Sequence, residues 1–278
     1  MSIPPFHWWR TVFWLIPAVC VYTIVLGTLS LASAIVDRHG RFAHRCARCW
    51  SWLILATTGV RVAATGRERL DPRAAYVFVS NHQSIYDIPI VFASLPFQLR
   101  IIAKASLGRF PFLGWHLRWT GHLLVDRARP GPTTLRRVSD LMGRGHSLIV
   151  FPEGTRSVDG RVAPFKRGVF LLAIEAGLPI VPVAVLHSRH VMRKGRLMTC
   201  PGDIGLVVQA PIATKGRTSD EAGTLAETVH SIIESTVREC DLADDPALDR
   251  LTGASRSLSP AAAEHEAGSQ PPGRPHTP

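Results

Sequence analysis

A run of 26 residues without a charged side chain, from Thr11 to Val36, restricts the fold of this chain more than any other feature. As a helix the run would be about 39 Å long, against about 30 Å for the hydrocarbon core of a bilayer. A second apolar stretch, from Trp50 to Val60, has only 11 residues and is too short to cross. We therefore expect a hydrophobic two-helix membrane anchor over residues 1–59. It would be either a hairpin held in one leaflet or one spanning helix beside one that lies flat.

The residues that flank the long apolar run predict how the chain is oriented at the cell membrane. Tryptophans crowd its start, as at a membrane interface, and arginines follow its end: Trp8, Trp9, Trp14, Arg38, Arg41, Arg45 and Arg48. The arginines favour a cytoplasmic position for the rest of the chain. A cleaved signal peptide is the alternative, because Ala32-Ser33-Ala34 has the form of a cleavage site. Against it, the run exceeds the usual signal-peptide core of about 7 to 15 residues, and Arg10 is the only charge before it.

After Gly59 the sequence alternates between short β-rich runs and helical stretches, which is typical of an α/β sheet. The runs predict strands at residues 60–64, 75–80, 98–103, 121–126, 147–151, 180–186 and 204–209. The stretches predict helices at residues 87–95, 133–144, 168–176 and 219–239. From about Asp244 onward, large apolar side chains are too few to support folding. We predict a folded domain over residues 60–243 and a disordered tail over residues 244–278.

Composition limits the class of protein without choosing a function. A chain of 278 residues with 46% hydrophobic composition can bury one substantial α/β core. A formal charge of +11 suits nucleic acid, an anionic membrane or a phosphate-bearing substrate. The 5 cysteines are irregularly spaced and fit a reducing compartment, and Cys46-x-x-Cys49 lacks the second pair expected of a metal site.

The first unusual motif is Asn-His-Gln-Ser-Ile-Tyr-Asp at residues 81–87, directly after a predicted strand. Sites in open α/β sheets tend to be built at such strand ends. Since only four residues separate His82 from Asp87, one turn can bring the carboxylate to an imidazole nitrogen and leave the other nitrogen free to take a proton. That is the arrangement of a general base. The alternative is a polar loop histidine, with Asp87 as the N-cap of a helix that begins at Ile88.

The second unusual motif is Phe-Pro-Glu-Gly-Thr-Arg-Ser at residues 151–157. It leaves a predicted strand and enters a turn, with Pro152 where a fixed φ is suitable and Gly154 closing the turn. Such a turn exposes backbone N–H groups, and Arg156 adds a planar fork suited to phosphate oxygens. A tight turn with a solvated arginine is the alternative for this motif alone.

Taken together and in this order, the motifs resemble the four sequence blocks of the glycerolipid acyltransferases, from about residue 60 to residue 243. Residues 81–87 resemble the first block. Residues 151–157, with Phe165-Lys166-Arg167-Gly168 after them, resemble the third. The remaining matches are to the second and fourth blocks: Lys104, Phe110-Pro111, Gly114, Gly121, Asp126-Arg127, and then Val181-Pro182-Val183.

The resemblance implies a mixed, largely parallel sheet flanked by helices and attached to a membrane. It also implies an enzyme of phospholipid biosynthesis that moves a fatty acyl group from acyl-CoA or acyl carrier protein to the sn-2 hydroxyl of lysophosphatidate, giving phosphatidate. Another lysolipid, such as a lyso-ornithine lipid or a lysophospholipid, is the alternative acceptor. The expected partners are membrane lipids, lysophosphatidate and the acyl donor. No metal and no cofactor beyond the donor is expected.

In this scheme His82 is the general base and Asp87 orients its ring. The thiolate of a thioester can leave without strong acid assistance, so one base suffices and no covalent acyl-enzyme is needed. The phosphate would be bound by groups from the second and third blocks: Arg127, Gly154, Thr155, Arg156 and, unless it is only a solvated surface residue, Lys104. The resemblance also implies a role for Glu153, either in gripping the glycerol hydroxyls or in bracing an arginine.

The sequence also contains a basic cluster between two late strands: Arg189, His190, Arg193, Lys194 and Arg196. It could contact anionic headgroups or the phosphates of an acyl donor, or it could be a solvated hairpin.

Two other classes of protein could also combine some of these features. A Ser-His-Asp lipase or thioesterase would normally carry Gly-x-Ser-x-Gly, which this sequence lacks. A nucleic-acid-binding protein would explain the charge but not the two motifs, so no nucleic-acid partner is expected.

Overall fold

The computed structural model describes residues 5–37, 39–109, 113–125 and 132–243. The tail predicted over residues 244–278 lies outside them. A continuous helix starts the chain and is made of α1 (Phe6–Arg10), a π-helical turn (Thr11–Leu15) and α2 (Ile16–Ser33). Over its whole length, Phe6–Ser33, this helix is long and apolar enough to cross a membrane.

The second helix, α3 (Arg41–Thr58), packs against α2. It is longer than the apolar stretch seen in the sequence, because its first half is amphipathic and buries Ala43 and Cys46 while exposing arginines. The pair is held together by the hydroxyl contact between Tyr22 and Thr57, at 3.1 Å, as well as by side-chain packing. The two N-terminal helices therefore form a hairpin.

All seven predicted strands are present and form a single sheet. They are β1 (Val60–Thr65), β2 (Val77–Ser80), β3 (Leu99–Lys104), β4 (Leu123–Val125), β5 (Ser147–Val150), β6 (Ile180–Leu186) and β7 (Gly202–Val208). Their order is β1-β7-β6-β2-β5-β3-β4, and only the β6–β7 pairing is antiparallel. The prediction of a mixed, largely parallel sheet is confirmed.

The four predicted helices are present, and two short ones were not predicted. The helices after the hairpin are α4 (Asp87–Ser94), α5 (Leu113–Trp119), α6 (Pro132–Gly143), α7 (Gly168–Glu175), α8 (Ser188–Val191) and α9 (Ala222–Ala243). The sequence signal for α5 and α8 is weak because each is too short to show a helical period. A capping box between Thr218 and Glu221 starts the 3-10 turn that leads into α9.

Helices cover both faces of the sheet because successive side chains of a strand point to opposite faces. In β2, Val77 and Val79 pack in a cluster with apolar residues of α7 and α9, such as Phe170 and Val229. Between them, Phe78 points to the other face and packs with residues of α3 and α4. The strands at the centre are buried on both sides, and the carboxyl ends of β2, β5 and β6 meet at one edge of the sheet.

A buried basic cluster joins the turn of the N-terminal hairpin to the sheet. The guanidinium of Arg100, on β3, donates to the carbonyl oxygens of His39 and Gly40 at 3.3 Å each. Nε2 of His146 lies 3.0 Å from the same His39 carbonyl oxygen. Burial, and then the nearby charge of Arg100, lower the pKa of His146 to about 4. Folding therefore favours the neutral form of His146 at this junction.

The free energy of unfolding is expected to decrease as the pH falls from about 6.5 to about 4. The pKa of His146 is lower in the folded state than its ordinary value of 6.5, so in this interval the unfolded chain binds more protons. We expect His146→Gln, whose amide can still donate to the His39 carbonyl, to remove about 1 to 3 kcal/mol of this acid destabilisation. Denaturant unfolding of both proteins in detergent at pH 7 and pH 4.5 measures it. An equal loss in the two proteins would contradict the assignment.

Candidate active site

His82 lies two residues past the end of β2, and its ring is fixed by a buried carboxylate. Nδ1 of His82 is 2.7 Å from Oδ2 of Asp87, the first residue of α4. The same oxygen accepts the backbone N–H groups of Gln83 (2.7 Å) and Ser84 (2.9 Å). These bonds run to residues before the helix, and Tyr86 occupies the N-cap position without a side-chain cap. The alternative of Asp87 as a simple N-cap is therefore wrong.

This geometry determines the tautomer of His82. A contact of 2.7 Å to a carboxylate oxygen requires a hydrogen on Nδ1, so in the neutral ring Nε2 carries the lone pair. The ring stacks on Phe151, with centroids 4.4 Å apart, and 16% of the side chain remains exposed to solvent. Within the described part of the chain, Nε2 has no hydrogen-bond partner. It can therefore accept a proton from a bound hydroxyl.

Asn81 fixes the backbone that carries His82. Its side chain is fully buried and pairs with β6 as a further strand residue would. Nδ2 of Asn81 donates to the carbonyl oxygen of Val185 (2.9 Å), and the Val185 N–H donates to Oδ1 (2.8 Å). The strand pairing thus continues by one residue through a side chain, which limits the positions that His82 can take.

The second motif meets the first because β2 and β5 are parallel neighbours, with Val79 opposite Val150. Glu153, three residues past β5, accepts the N–H of His82 at 2.6 Å and that of Ala163 at 3.1 Å, one with each carboxylate oxygen. Burial raises the pKa of Glu153, and these two N–H groups partly oppose the rise. Among the described residues, Glu153 thus contacts the backbone of the histidine and no arginine. Its expected role in gripping the glycerol hydroxyls or in bracing an arginine stays a prediction.

Ser157 supports His82 from the other end of the same motif. Its backbone N–H donates to the carbonyl oxygen of His82 at 2.8 Å. The peptide groups on both sides of His82 are therefore held by residues 153–157, and the two motifs form one unit.

The turn at Gly154 is open to solvent and lined with cations. Gly154 has a φ of 80° and its N–H donates to the Phe151 carbonyl at 3.2 Å. A Cβ on Gly154 would lie 2.7 Å from Nζ of Lys166, so that lysine folds over the turn. Lys194 reaches Thr155 from the other side, with its Nζ 2.9 Å from Oγ1. Gly154 and Thr155 are exposed and Arg156 is half-buried, so a ligand can approach all three.

The remaining predicted site residues lie further along the same edge or outside the described residues. Lys104 is the exposed last residue of β3, which β5 separates from β2. Arg127 lies outside the described residues. Sequence reasoning did not assign Lys166 or Lys194 to this site. Their only signals were a place in the third block for Lys166 and membership of the basic cluster for Lys194.

Comparison with known proteins agrees with this geometry. Residues 61–186 match the model of the Acyltransferase family. The chain is 31% identical to 1-acyl-sn-glycerol-3-phosphate acyltransferase of Saccharomyces cerevisiae over 225 residues, which cover 79% of this chain and 73% of the relative. It is 35% identical to the alpha form of that enzyme from Mus musculus over 185 residues, 65% of each chain. The crystal structure of the 1-acyl-sn-glycerophosphate acyltransferase of Thermotoga maritima aligns with a TM-score of 0.70 at 26% identity, covering 85% of this chain and 98% of that one.

The fold, the two joined motifs and these relatives define an acyltransferase enzyme. Within that class, the chain belongs to the glycerolipid acyltransferase family. The family, fold class and enzyme class predicted from the sequence are confirmed.

Proposed function

We propose that the protein is a 1-acyl-sn-glycerol-3-phosphate acyltransferase, which moves a fatty acyl group from a thioester to the sn-2 hydroxyl of lysophosphatidate. The observation that carries this proposal is the 2.7 Å contact between His82 Nδ1 and Asp87 Oδ2, because it leaves Nε2 as a base beside the turn at residues 153–157. The activity for which relatives aligned over most of the chain are named supports the choice of acceptor.

The proposed reaction needs one base and no covalent intermediate on the protein. Nε2 of His82 removes the proton of the sn-2 hydroxyl as its oxygen attacks the thioester carbonyl carbon. The tetrahedral intermediate collapses and the C–S bond breaks. The thiolate, whose conjugate acid has a pKa near 8.5, leaves and takes up the proton from the imidazolium. Asp87 stabilises that imidazolium while it exists.

The phosphate of the acceptor would lie at the turn that follows β5. The backbone N–H of Thr155 and the guanidinium of Arg156 offer donors at this turn. The N–H of Gly154 already donates to the Phe151 carbonyl, so exposed Gly154 would contribute a close approach to the turn and not a donor. Lys104, at the end of the neighbouring strand β3, and Arg127 complete the proposed set. No metal and no cofactor other than the acyl donor is part of the scheme, and the donor is either acyl-CoA or acyl carrier protein.

We propose that the N-terminal hairpin lies in one leaflet of the cell membrane and does not cross it. Near the start of the long helix, Oγ1 of Thr11 accepts a hydrogen bond from the N–H of Thr199 (2.8 Å). Towards its end, Oγ of Ser30 lies 3.2 Å from Nε2 of His116, on α5. Ser30 lies 19 positions after Thr11, so the two contacts are about 28 Å apart along the helix. A helix that packs on the enzyme over that length cannot also place its two ends on opposite sides of the bilayer, whose hydrocarbon core is about 30 Å thick. The arginine-rich turn favours the cytoplasmic face.

Assay of purified protein in detergent with a panel of lysolipids tests the function. We expect phosphatidate from lysophosphatidate to be the dominant product by mass spectrometry, and an unchanged rate when a chelator is added. The panel includes a lyso-ornithine lipid and lysophosphatidylcholine, each offered with acyl-CoA and with acyl carrier protein.

Each of the other possible assay results would contradict a different part of the proposal. Faster acylation of another lysolipid would replace lysophosphatidate as the acceptor. Loss of activity with the chelator would contradict metal-free catalysis. A labelled acyl group that stayed on the denatured protein would contradict direct transfer and favour a hydrolase-like mechanism.

A further inference from the structure

Lys194 connects the basic cluster at residues 189–196 to the turn that follows β5. Its ammonium group donates to the hydroxyl oxygen of Thr155 at 2.9 Å and to the carbonyl oxygen of Arg156 at 3.0 Å. Thr155 and Arg156 belong to the motif proposed to bind the acceptor phosphate, and Lys194 is 38 residues further along the chain than Arg156. This contact makes Lys194, alone among the members of the basic cluster in the described residues, part of the site.

The segment that carries Lys194 is fixed to the first motif as well. The hydroxyl of Ser84 donates to the carbonyl oxygen of Met192 at 2.8 Å, and Arg189 donates to the carbonyl oxygen of Val158 at 3.0 Å. The N–H of Cys200 donates to the carbonyl oxygen of Val191 at 2.9 Å and closes the segment into a loop. Lys194 is therefore held by a loop whose base is attached to the residues around His82.

The bond from Lys194 determines what the Thr155 hydroxyl can do. An ammonium group can only donate, so the Thr155 oxygen accepts and its own hydrogen remains free to be donated elsewhere. A phosphate oxygen can only accept, and it therefore needs donors of this kind. The second bond fixes the carbonyl of Arg156, and with it the peptide from which the guanidinium projects. The ammonium group also adds a positive charge beside the same turn.

We infer that Lys194 is a positioning residue for the acceptor phosphate, which it serves by orienting Thr155 as a donor and by fixing the backbone of Arg156. This inference rests on the proposed function, since it assigns Lys194 to the phosphate end of lysophosphatidate. It also gives a role to one member of a cluster that the sequence alone left between lipid headgroups, donor phosphates and a solvated hairpin.

Steady-state kinetics of Lys194→Met test the inference, with Arg196→Met as a matched control. Both variants lose one positive charge from the same loop, but the described residues place no partner on the exposed side chain of Arg196. For Lys194→Met we expect the KM for lysophosphatidate to rise about tenfold, equivalent to about 1.4 kcal/mol. The kcat and the KM for the acyl donor should stay within about twofold of the wild type, as expected when only acceptor binding is weakened. Lys194→Arg should restore most of the acceptor KM, because a guanidinium also donates to both oxygens.

Thr155→Val supplies the second half of the test. It removes one of the two oxygens that Lys194 contacts, so the two changes together should raise the acceptor KM by clearly less than the product of their separate effects. Additive effects would overturn the inference. So would Lys194→Met values equal to those of Arg196→Met, or an equal loss in kcat and in both KM values, which would indicate a general distortion of the site. Wild-type protein that does not acylate lysophosphatidate would instead overturn the proposed function, so the two failures are distinguishable.

Discussion

Replacement of His82 by alanine is expected to reduce kcat by about 10²- to 10⁴-fold, the usual contribution of a positioned general base. The imidazole is the only group that the scheme uses to remove the proton from the acceptor hydroxyl. Its Nε2 is available because Asp87 occupies Nδ1 at 2.7 Å. Initial rates with saturating lysophosphatidate and acyl donor measure the effect. Sedimentation with vesicles should show unchanged membrane association, because His82 is remote in sequence from the hairpin.

Asp87→Asn separates the charge of the carboxylate from the shape of the loop. An amide oxygen in the place of Oδ2 can still accept the N–H groups of Gln83 and Ser84, so the turn is retained. The negative charge that stabilises the imidazolium is lost, and kcat should fall although His82 is present. The amide nitrogen would lie where Oδ1 now is, and the described residues offer Oδ1 no partner, so a modest loss of thermal stability is also expected. Near-normal turnover in either variant would contradict the assignment of His82 as the base.

Much of this site could be predicted from the sequence because its chemistry depends on local spacing. Four residues between His82 and Asp87 are enough for one turn to close on itself, whatever the rest of the fold does. The positions of the strands could also be predicted, since buried parallel strands such as β6 are almost continuously apolar. The order of the strands in the sheet could not be predicted from the sequence. The pairing of β2 with β5, which brings the two motifs together, depends on packing between segments about 70 residues apart.

The contacts that the sequence did not reveal are those between distant polar groups and the backbone. The partner of Glu153 is the N–H of His82, and a backbone group leaves no signature in a sequence. Lys194 was visible only as one of several cations in a basic cluster, and its partners on Thr155 and Arg156 depend on the course of a loop. The direction of β7, antiparallel to β6, likewise follows from the path of that loop and not from local composition.

Glu153 connects these two kinds of information, because the motif marks it as important and the structure shows its contacts. Each of its carboxylate oxygens accepts one backbone N–H, from His82 at 2.6 Å and from Ala163 at 3.1 Å. The residue is nearly excluded from water, at 6% exposure, so water cannot replace a lost acceptor at low cost. Two donors therefore depend on the two oxygens of a single side chain.

Glu153→Gln is expected to be far more disruptive than its similar shape suggests. One oxygen becomes an NH₂ group, so in either orientation of the amide a donor faces the N–H of His82 or of Ala163. Leaving one buried N–H unsatisfied should lower the free energy of unfolding by about 1 to 3 kcal/mol. Displacement of the His82 backbone should lower kcat by up to about 10²-fold. Glu175→Gln, which removes an exposed carboxylate from the end of α7, is the matched control and should change neither quantity. If the two variants behave alike in denaturant unfolding and in turnover, Glu153 does not hold the catalytic histidine in place.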